Sequence, residues 1–237
     1  MKGRTIAVFL LFVFAAVAVT PLVCLFVLLG IREPLIAIGK AVMRVALRIL
    51  DLELDVSGWK NAEGPGPVIF MPNHQSFIDG PLVLMLIPRR VRVILKKEVF
   101  RLPILGLGMR QVEFVPVDRR GGRGGRASIE RAARLIRQKA YSFLIFPEGT
   151  RSLDGKLQRF RRGGFYLALE TEAPIVPVAI KGTFELMPKG SFFVRRGRIR
   201  LVFLPPIPVR GYSVDNLAEL VERVRTTILK ELTEEAP

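Results

Sequence analysis

At 237 residues, half of them hydrophobic, the chain is long enough for one sizeable α/β domain plus an appendage and too short to favour two full domains. One cysteine, Cys24, and one histidine, His74, exclude a disulfide framework and a Cys/His zinc centre, so no metal site is expected. A formal charge of +16 calls for an anionic partner; composition alone leaves phosphate substrates, anionic lipids, acidic proteins and nucleic acid open.

Thr5 to Gly30, "TIAVFLLFVFAAVAVTPLVCLFVLLG", carries no charged side chain over 26 residues, enough to span a bilayer as a helix. A cleaved signal peptide has a shorter apolar core followed by a small-residue cleavage site, and here Ile31-Arg32-Glu33 leads straight into another helical pattern. Thr20-Pro21 interrupts the run, where proline kinks or ends a helix. The next stretch, "EPLIAIGKAVMRVALRILDL", spaces Lys40, Arg44 and Arg48 four apart along one face opposite apolar positions, as in a helix lying in a membrane interface. Basic flanks belong on the cytoplasmic side. A single span strands Lys2 and Arg4 on the far side, whereas a hairpin dipping into one leaflet satisfies both flanks. Residues 1–50 therefore read as membrane-anchoring helices, monotopic on the cytoplasmic face of the inner membrane, with a true span and a buried soluble helix as alternatives. Residues 51–237 read as an α/β domain.

From Leu52 onward strands and helices alternate. A short strand near Val56, the turn "EGPGP", a buried strand "VIFMPN" and a helix from Ser76 to Leu86 come first. Next are the strand "VRVILK", a Gly/Pro-broken segment "FRLPILGLGMRQ", the strand "VEFVPVD" and a flexible basic loop "GGRGGR", Gly121 to Arg126. An amphipathic helix "ASIERAARLIRQKA", the strand "SFLIF", the helix "GGFYLALETE", strands "PIVPVAI" and "RIRLVFLP", and a last helix from Val214 to Leu232 complete the chain. This alternation predicts a mostly parallel sheet flanked by helices, with polar groups at the strand ends gathered along one edge.

Three polar runs follow apolar strands: "NHQSFID", "PVDRR" and "PEGTRS". His74 has the side chain best suited to proton transfer near neutrality, and a carboxylate on one ring nitrogen fixes the tautomer that leaves the other free. Asp79, five residues on, is the candidate partner. "S-F-I-D" equally fits a capping box with Ser76 at the N-cap, and one carboxyl oxygen can serve the backbone while the other meets His74. No G-x-S-x-G elbow supplies a serine nucleophile, so the base is expected to act on a substrate hydroxyl directly. Arg119 and Arg151 sit in turns after strands, where guanidinium forks hold phosphate, and Lys97 ends another strand. Glu148 is expected to pair with an arginine and orient it.

"NHQSFID", "FVPVDR", "FPEGTRS" and "IVPVAI" resemble, in order, the four blocks of the glycerolipid acyltransferases, and most closely the lysophosphatidic acid acyltransferases. The resemblance covers Asn73 to Ile180. It implies a glycerol-3-phosphate acyltransferase-like fold and transfer of a fatty acyl group from an acyl-ACP or acyl-CoA thioester to the sn-2 hydroxyl of lysophosphatidic acid, giving phosphatidic acid. It carries His74 over as base and Asp79 as its partner. Arg119, Glu148, Gly149, Thr150 and Arg151 become the acceptor-phosphate site, and Pro177 a packing position. It implies no metal or organic cofactor. Anionic membrane lipids are the remaining expected partner. The rivals are a basic membrane or nucleic-acid binder built on "GGRGGR", a related enzyme with another acceptor such as glycerol-3-phosphate, and a lipid hydrolase or transacylase. Nucleic acid is disfavoured because the aromatics are mostly phenylalanines in apolar runs rather than interleaved with the basic loop.

Overall fold

The computed structural model describes residues 2–118 and 123–234. Two helices, α1 (Lys2–Leu28) and α2 (Glu33–Leu50), form an antiparallel hairpin. α1 runs through Pro21 without ending. Its surface is largely bare: of its described side chains only Val8 is buried. α2 turns Met43, Ala46, Leu47 and Leu50 into the core and leaves Arg44 and Arg48 exposed. Lys40 departs from the expected outward stripe: its Nζ donates to the Ile87 carbonyl at 2.7 Å.

The remainder runs β1 (Leu52–Ser57), α3 (Trp59–Ala62), β2 (Ile69–Pro72), α4 (Asp79–Leu86) and β3 (Val91–Lys96). A 3-10 turn (Lys97–Arg101), α5 (Pro103–Gln111), β4 (Val115–Val117), α6 (Arg123–Lys139) and β5 (Ser142–Leu144) follow. α7 (Gly163–Thr171), β6 (Ile175–Lys181), α8 (Thr183–Leu186), β7 (Gly197–Phe203) and α9 (Leu217–Thr233) complete it. Among the described residues the strands form one seven-stranded sheet in the order β1-β7-β6-β2-β5-β3-β4. Every pairing is parallel except β6 with β7. Alternate residues of β2 face opposite layers, as the pleat requires. Phe70 packs with the core under α2 and α4, while Ile69 and Met71 pack with that under α6, α7 and α9.

Two stretches differ from the sequence reading. The Gly/Pro-broken segment is helical in α5: Pro103 takes the first turn, where its missing N–H costs nothing. Gly106 is a packing position there, since a Cβ would lie 2.2 Å from the Phe100 carbonyl oxygen. The second is "GGRGGR": from residue 123 on it is the first turn of α6, docked by Ser128 Oγ donating to the Pro116 carbonyl at 2.7 Å. Gly121 and Gly122 lie outside the described residues.

The hairpin is tied to the domain at both ends. At one end Arg4 Nη1 lies 2.8 Å from Asp51 Oδ2, and Thr5 Oγ1 accepts the Val194 N–H at 3.2 Å. At the other, Gln111 Nε2 donates to the carbonyls of Phe26 (3.0 Å) and Ile31 (3.2 Å). Below, Arg92 is fully buried in β3, its guanidinium 3.7 Å over the Tyr141 ring, and donates to Glu33 Oε1 at 2.6 Å. Burial opposes ionisation of Glu33, but Arg92 and Arg90 together outweigh it and hold the carboxyl below its ordinary range. A depressed folded-state pKa contributes stability above the unfolded value of 4.5 that is lost as pH falls through the folded one. Glu33→Gln is thus expected to cost about 1–2 kcal/mol near pH 7, Glu33 being half-exposed. The deficit shrinks as pH falls below 4.5, where wild type loses the same charge. Thermal melts of both proteins in one detergent from pH 7 to 3 check this; a pH-independent gap contradicts the ion-pair account.

Candidate active site

β2 delivers the first polar run to the carboxyl edge of the sheet. Asn73 is the device that turns it. Its side chain donates to the Ile180 carbonyl at 2.9 Å and accepts the Ile180 N–H at 2.7 Å, replacing one backbone rung of the β2–β6 ladder. That frees the main chain of His74 to pair elsewhere. The His74 N–H donates to Glu148 Oε1 at 2.6 Å, and its carbonyl accepts the Ser152 N–H at 2.8 Å. The "PEGTRS" turn therefore grips His74 by both backbone groups.

The imidazole Nδ1 lies 3.0 Å from Asp79 Oδ2. The same oxygen accepts the N–H groups of Gln75 and Ser76, each at 2.7 Å. An oxygen that already accepts two backbone hydrogens is an acceptor for Nδ1–H as well, so the neutral ring keeps its lone pair on Nε2. Among the described residues Nε2 has no protein partner. The ring lies 4.0 Å from that of Phe146, tilted by 30°, and its side chain is 14% exposed, enough to reach a substrate but shielded on its faces.

The division of labour between the two carboxyl oxygens differs from the sequence reading. Oδ2 serves both backbone and imidazole, while Oδ1 is buried and has no protein partner. Asp79 makes the carboxylate half of the capping box. The hydroxyl half is absent: Ser76 Oγ donates to the Met187 carbonyl at 2.8 Å and accepts only a long 3.4 Å contact from the Ile78 N–H. α4 accordingly starts at Asp79, not Ser76.

Glu148 also differs from expectation, because backbone and amide groups occupy the place given to an arginine. Oε2 accepts the Gln158 N–H at 3.0 Å and Gln158 Nε2 at 2.9 Å; that Nε2 also donates to the Thr150 carbonyl. Burial pushes the Glu148 carboxyl above its ordinary pKa, these hydrogen bonds pull it back, and the Asp79 charge adds to the rise. Gly149 adopts φ +72°, and a Cβ there would meet Arg161 Nε at 2.7 Å. The left-handed φ is what favours glycine there, and a Cβ would in addition displace the Arg161 side chain.

Thr150 and Arg151 face the mouth. Thr150 Oγ1 accepts a 3.3 Å contact from Lys189 Nζ, and the Arg151 guanidinium stands 5.9 Å over the Phe77 ring with no carboxylate partner among the described residues. Lys97 lies farther off, at the end of β3 and bound to Asp118 Oδ2 at 2.5 Å. β3 is two strands from β2, about 10 Å at ordinary strand spacing. Arg119 lies outside the described residues. Pro177 pairs with Met71 in mid-strand; its carbonyl accepts the Leu204 N–H at 2.9 Å, so its missing N–H faces residues 204–206, where the β7 ladder breaks.

The sequence reading missed Asn73, Phe146, Gln158 and Lys189. Asn73 stood in a motif, but its partner is 107 positions away. Phe146 likewise stood in a motif, "FPEGTRS", without a sign that its ring meets His74, and the other two carried no local signal. Among the described residues no cluster of three or more His, Cys, Asp or Glu side chains is placed to hold a metal ion. Several amides at the turns are already committed: those of Gln75 and Ser76 to Asp79, and that of Gly149 to the Phe146 carbonyl. The geometry is that of a histidine–carboxylate pair beside a cationic turn, with no side-chain nucleophile aligned to it among the described residues.

Known proteins share both the sequence and the fold. A family model described as Acyltransferase matches residues 53–181, more than half of the chain. The 1-acyl-sn-glycerol-3-phosphate acyltransferase of Limnanthes douglasii is 36% identical over 164 residues, 69% of this chain and 58% of that protein. The human 1-acyl-sn-glycerol-3-phosphate acyltransferase alpha is 27% identical over 178 residues, 75% of this chain and 63% of that one. The chain thus spans somewhat less than two thirds of the length of these relatives. The crystal structure of the 1-acyl-sn-glycerophosphate (LPA) acyltransferase PlsC of Thermotoga maritima superposes with a TM-score of 0.78 at 27% identity, covering 100% of this chain and 99% of that one. With its sheet, its histidine–carboxylate pair and a family match over most of the catalytic-edge strands, the chain belongs to the acyltransferase family.

Proposed function

We propose that the protein transfers a fatty acyl group from an acyl-ACP or acyl-CoA thioester to the sn-2 hydroxyl of lysophosphatidic acid, yielding phosphatidic acid at a membrane surface. The observation that carries this is the open Nε2 of His74, held by Asp79 beside the cationic "GTR" turn. The activity for which the relatives are named supports the substrate class.

In this reading His74 Nε2 takes the proton of the acceptor hydroxyl as its oxygen attacks the thioester carbonyl. Asp79 stabilises the imidazolium that forms. Collapse of the tetrahedral intermediate breaks the C–S bond, and the proton passes from Nε2 to the leaving thiolate. The ester and a free thiol are the products. Arg151 and Thr150 hold the acceptor phosphate, with Arg119 and Lys97 as further candidate cations for it. Glu148 and Gly149 act from behind, through the backbone of His74 and the shape of the turn.

Attachment to the membrane is proposed as monotopic, on the cytoplasmic face, with residues 1–50 as anchor and 51–237 as the catalytic domain. The support is mechanical. α1 is about 40 Å long at 1.5 Å per residue, and both of its ends bond the same domain. A helix crossing the bilayer would carry one end away from it.

The test is acyl transfer by purified protein from a labelled thioester. Labelled phosphatidic acid is expected from lysophosphatidic acid, and no labelled lysophosphatidic acid from glycerol-3-phosphate; labelled lysophosphatidic acid from glycerol-3-phosphate without any phosphatidic acid would favour the related acceptor. His74→Ala should lower kcat by about 10³-fold or more. Full activity in a folded His74→Ala protein removes the proposed base. Asp79→Asn is expected to lower kcat by at least about 10²-fold, because its amide cannot accept three donors while fixing the tautomer. Loss of thermal stability with kcat intact assigns Asp79 to the helix start alone. Arg151→Ala should raise the acceptor KM by about 10-fold or more and leave the donor KM in place. An unchanged acceptor KM takes Arg151 out of the phosphate site.

A further inference from the structure

The segment between α8 and β7, residues 187–196, has no part in the chemistry above, yet it is bolted to three things at once. Ser76 Oγ donates to the Met187 carbonyl, which ties it to the His74–Asp79 turn. Lys189 Nζ reaches Thr150 Oγ1, which ties it to the "GTR" turn. Val194 is buried in the same core as Val8, and its N–H donates to Thr5 Oγ1, which ties it to α1. The loop is also closed on itself. The Arg195 N–H donates to the Leu186 carbonyl at 2.9 Å, and Ser191 Oγ both donates to the Phe193 carbonyl and accepts the Phe193 N–H.

On this braced loop Phe192 is 84% exposed and Phe193 39%. Two more apolar side chains stand on the adjoining turns: Phe77, 65% exposed, and Leu153, 76% exposed. Four large apolar groups exposed on segments bonded to the His74 and "GTR" turns are more than a soluble surface ordinarily gathers. Residues 187–198, "MPKGSFFVRRGR", contain no acid, and no carboxylate pairs with Lys189, Arg195 or Arg196 among the described residues. Aromatic side chains at the centre with unpaired cations at the margin match a leaflet boundary, where rings enter the acyl region and cations meet anionic headgroups. The loop is joined to α1, whose outer face is apolar, by the Val194 N–H on Thr5 Oγ1, and Val8 and Val194 belong to one buried cluster.

We propose that the mouth of the site is itself a membrane contact: the Phe192–Phe193 loop, with Phe77 and Leu153, inserts into an anionic leaflet beside the α1–α2 hairpin. The proposal rests on the membrane attachment given above and adds a second point of contact at the site. An acceptor lipid then passes from the leaflet to His74 without leaving an apolar path.

The experiment uses the full chain with Trp59→Phe, which removes its one tryptophan, and Phe192→Trp as probe. Vesicles of phosphatidylcholine, with or without phosphatidate, carry a spin label at a shallow acyl position. With phosphatidate, the introduced indole is expected to shift to the blue, to be quenched by the label and to lose about ten-fold of its quenching by aqueous iodide. Arg195→Gln with Arg196→Gln should reduce the effect of phosphatidate. If the protein co-sediments with vesicles while the indole stays open to iodide, the proposal is overturned and the hairpin attachment stands. Quenching that follows protein concentration without vesicles assigns the rings to a second copy and overturns it equally. Neither readout needs turnover, so acyl transfer can fail in its own assay while this contact holds. In that assay, Phe192→Ser with Phe193→Ser should slow reaction of vesicle-borne acceptor about ten-fold and leave a monomeric short-chain acceptor unaffected.

Discussion

One carboxylate oxygen, Asp79 Oδ2, takes three donors: the imidazole and two consecutive amides. Asp79 is fully buried, and a buried charge is tolerated only when paired and hydrogen-bonded. Because Oδ1 has no protein partner, that compensation falls on Oδ2 and on the N-terminus of α4, whose dipole favours a negative charge. Helix start and imidazole orientation are consequently one constraint. Shifting α4 by one residue would move the carboxylate off both the ring and the turn.

The rest of the sheet presents that constraint to its surroundings. β2, β5, β3, β4 and β6 all run the same way, so the ends that carry His74, Glu148, Lys97 and Asp118 share an edge. Asn73 allows His74 to leave the ladder without leaving backbone groups unpaired. Glu148 then receives the His74 amide and hands the strain of its own burial to Gln158. Strand direction, one asparagine and one buried glutamate thus place a single imidazole, and the cationic turn follows from the same chain path.

Much of this was legible from residues alone because it is local. The alternation of strands and helices, and the bounds of β3, follow from periodicity within a few positions. The His74–Asp79 pair is also local, five residues apart on a strand-to-helix turn. What was not legible depends on distant partners. Gln158 reads as an ordinary loop residue until Glu148 is beside it, and Lys189 until Thr150 is. Gly106 reads as a breaker until the Phe100 backbone is found where its side chain would be. The capping box misled in a specific way: the pattern constrains Ser76 and Asp79, but the hydroxyl donates to the Met187 carbonyl, 111 positions away, and does not take up the amide of residue 79.

Pro21 sits within α1 and removes the N–H that the Val17 carbonyl would otherwise receive. In hydrocarbon such a carbonyl costs several kcal/mol, whereas at headgroup level water supplies the missing donor. On the monotopic reading proposed above, that difference favours a rod lying flat near the boundary, where water reaches the backbone around Pro21, over one sunk to the midplane.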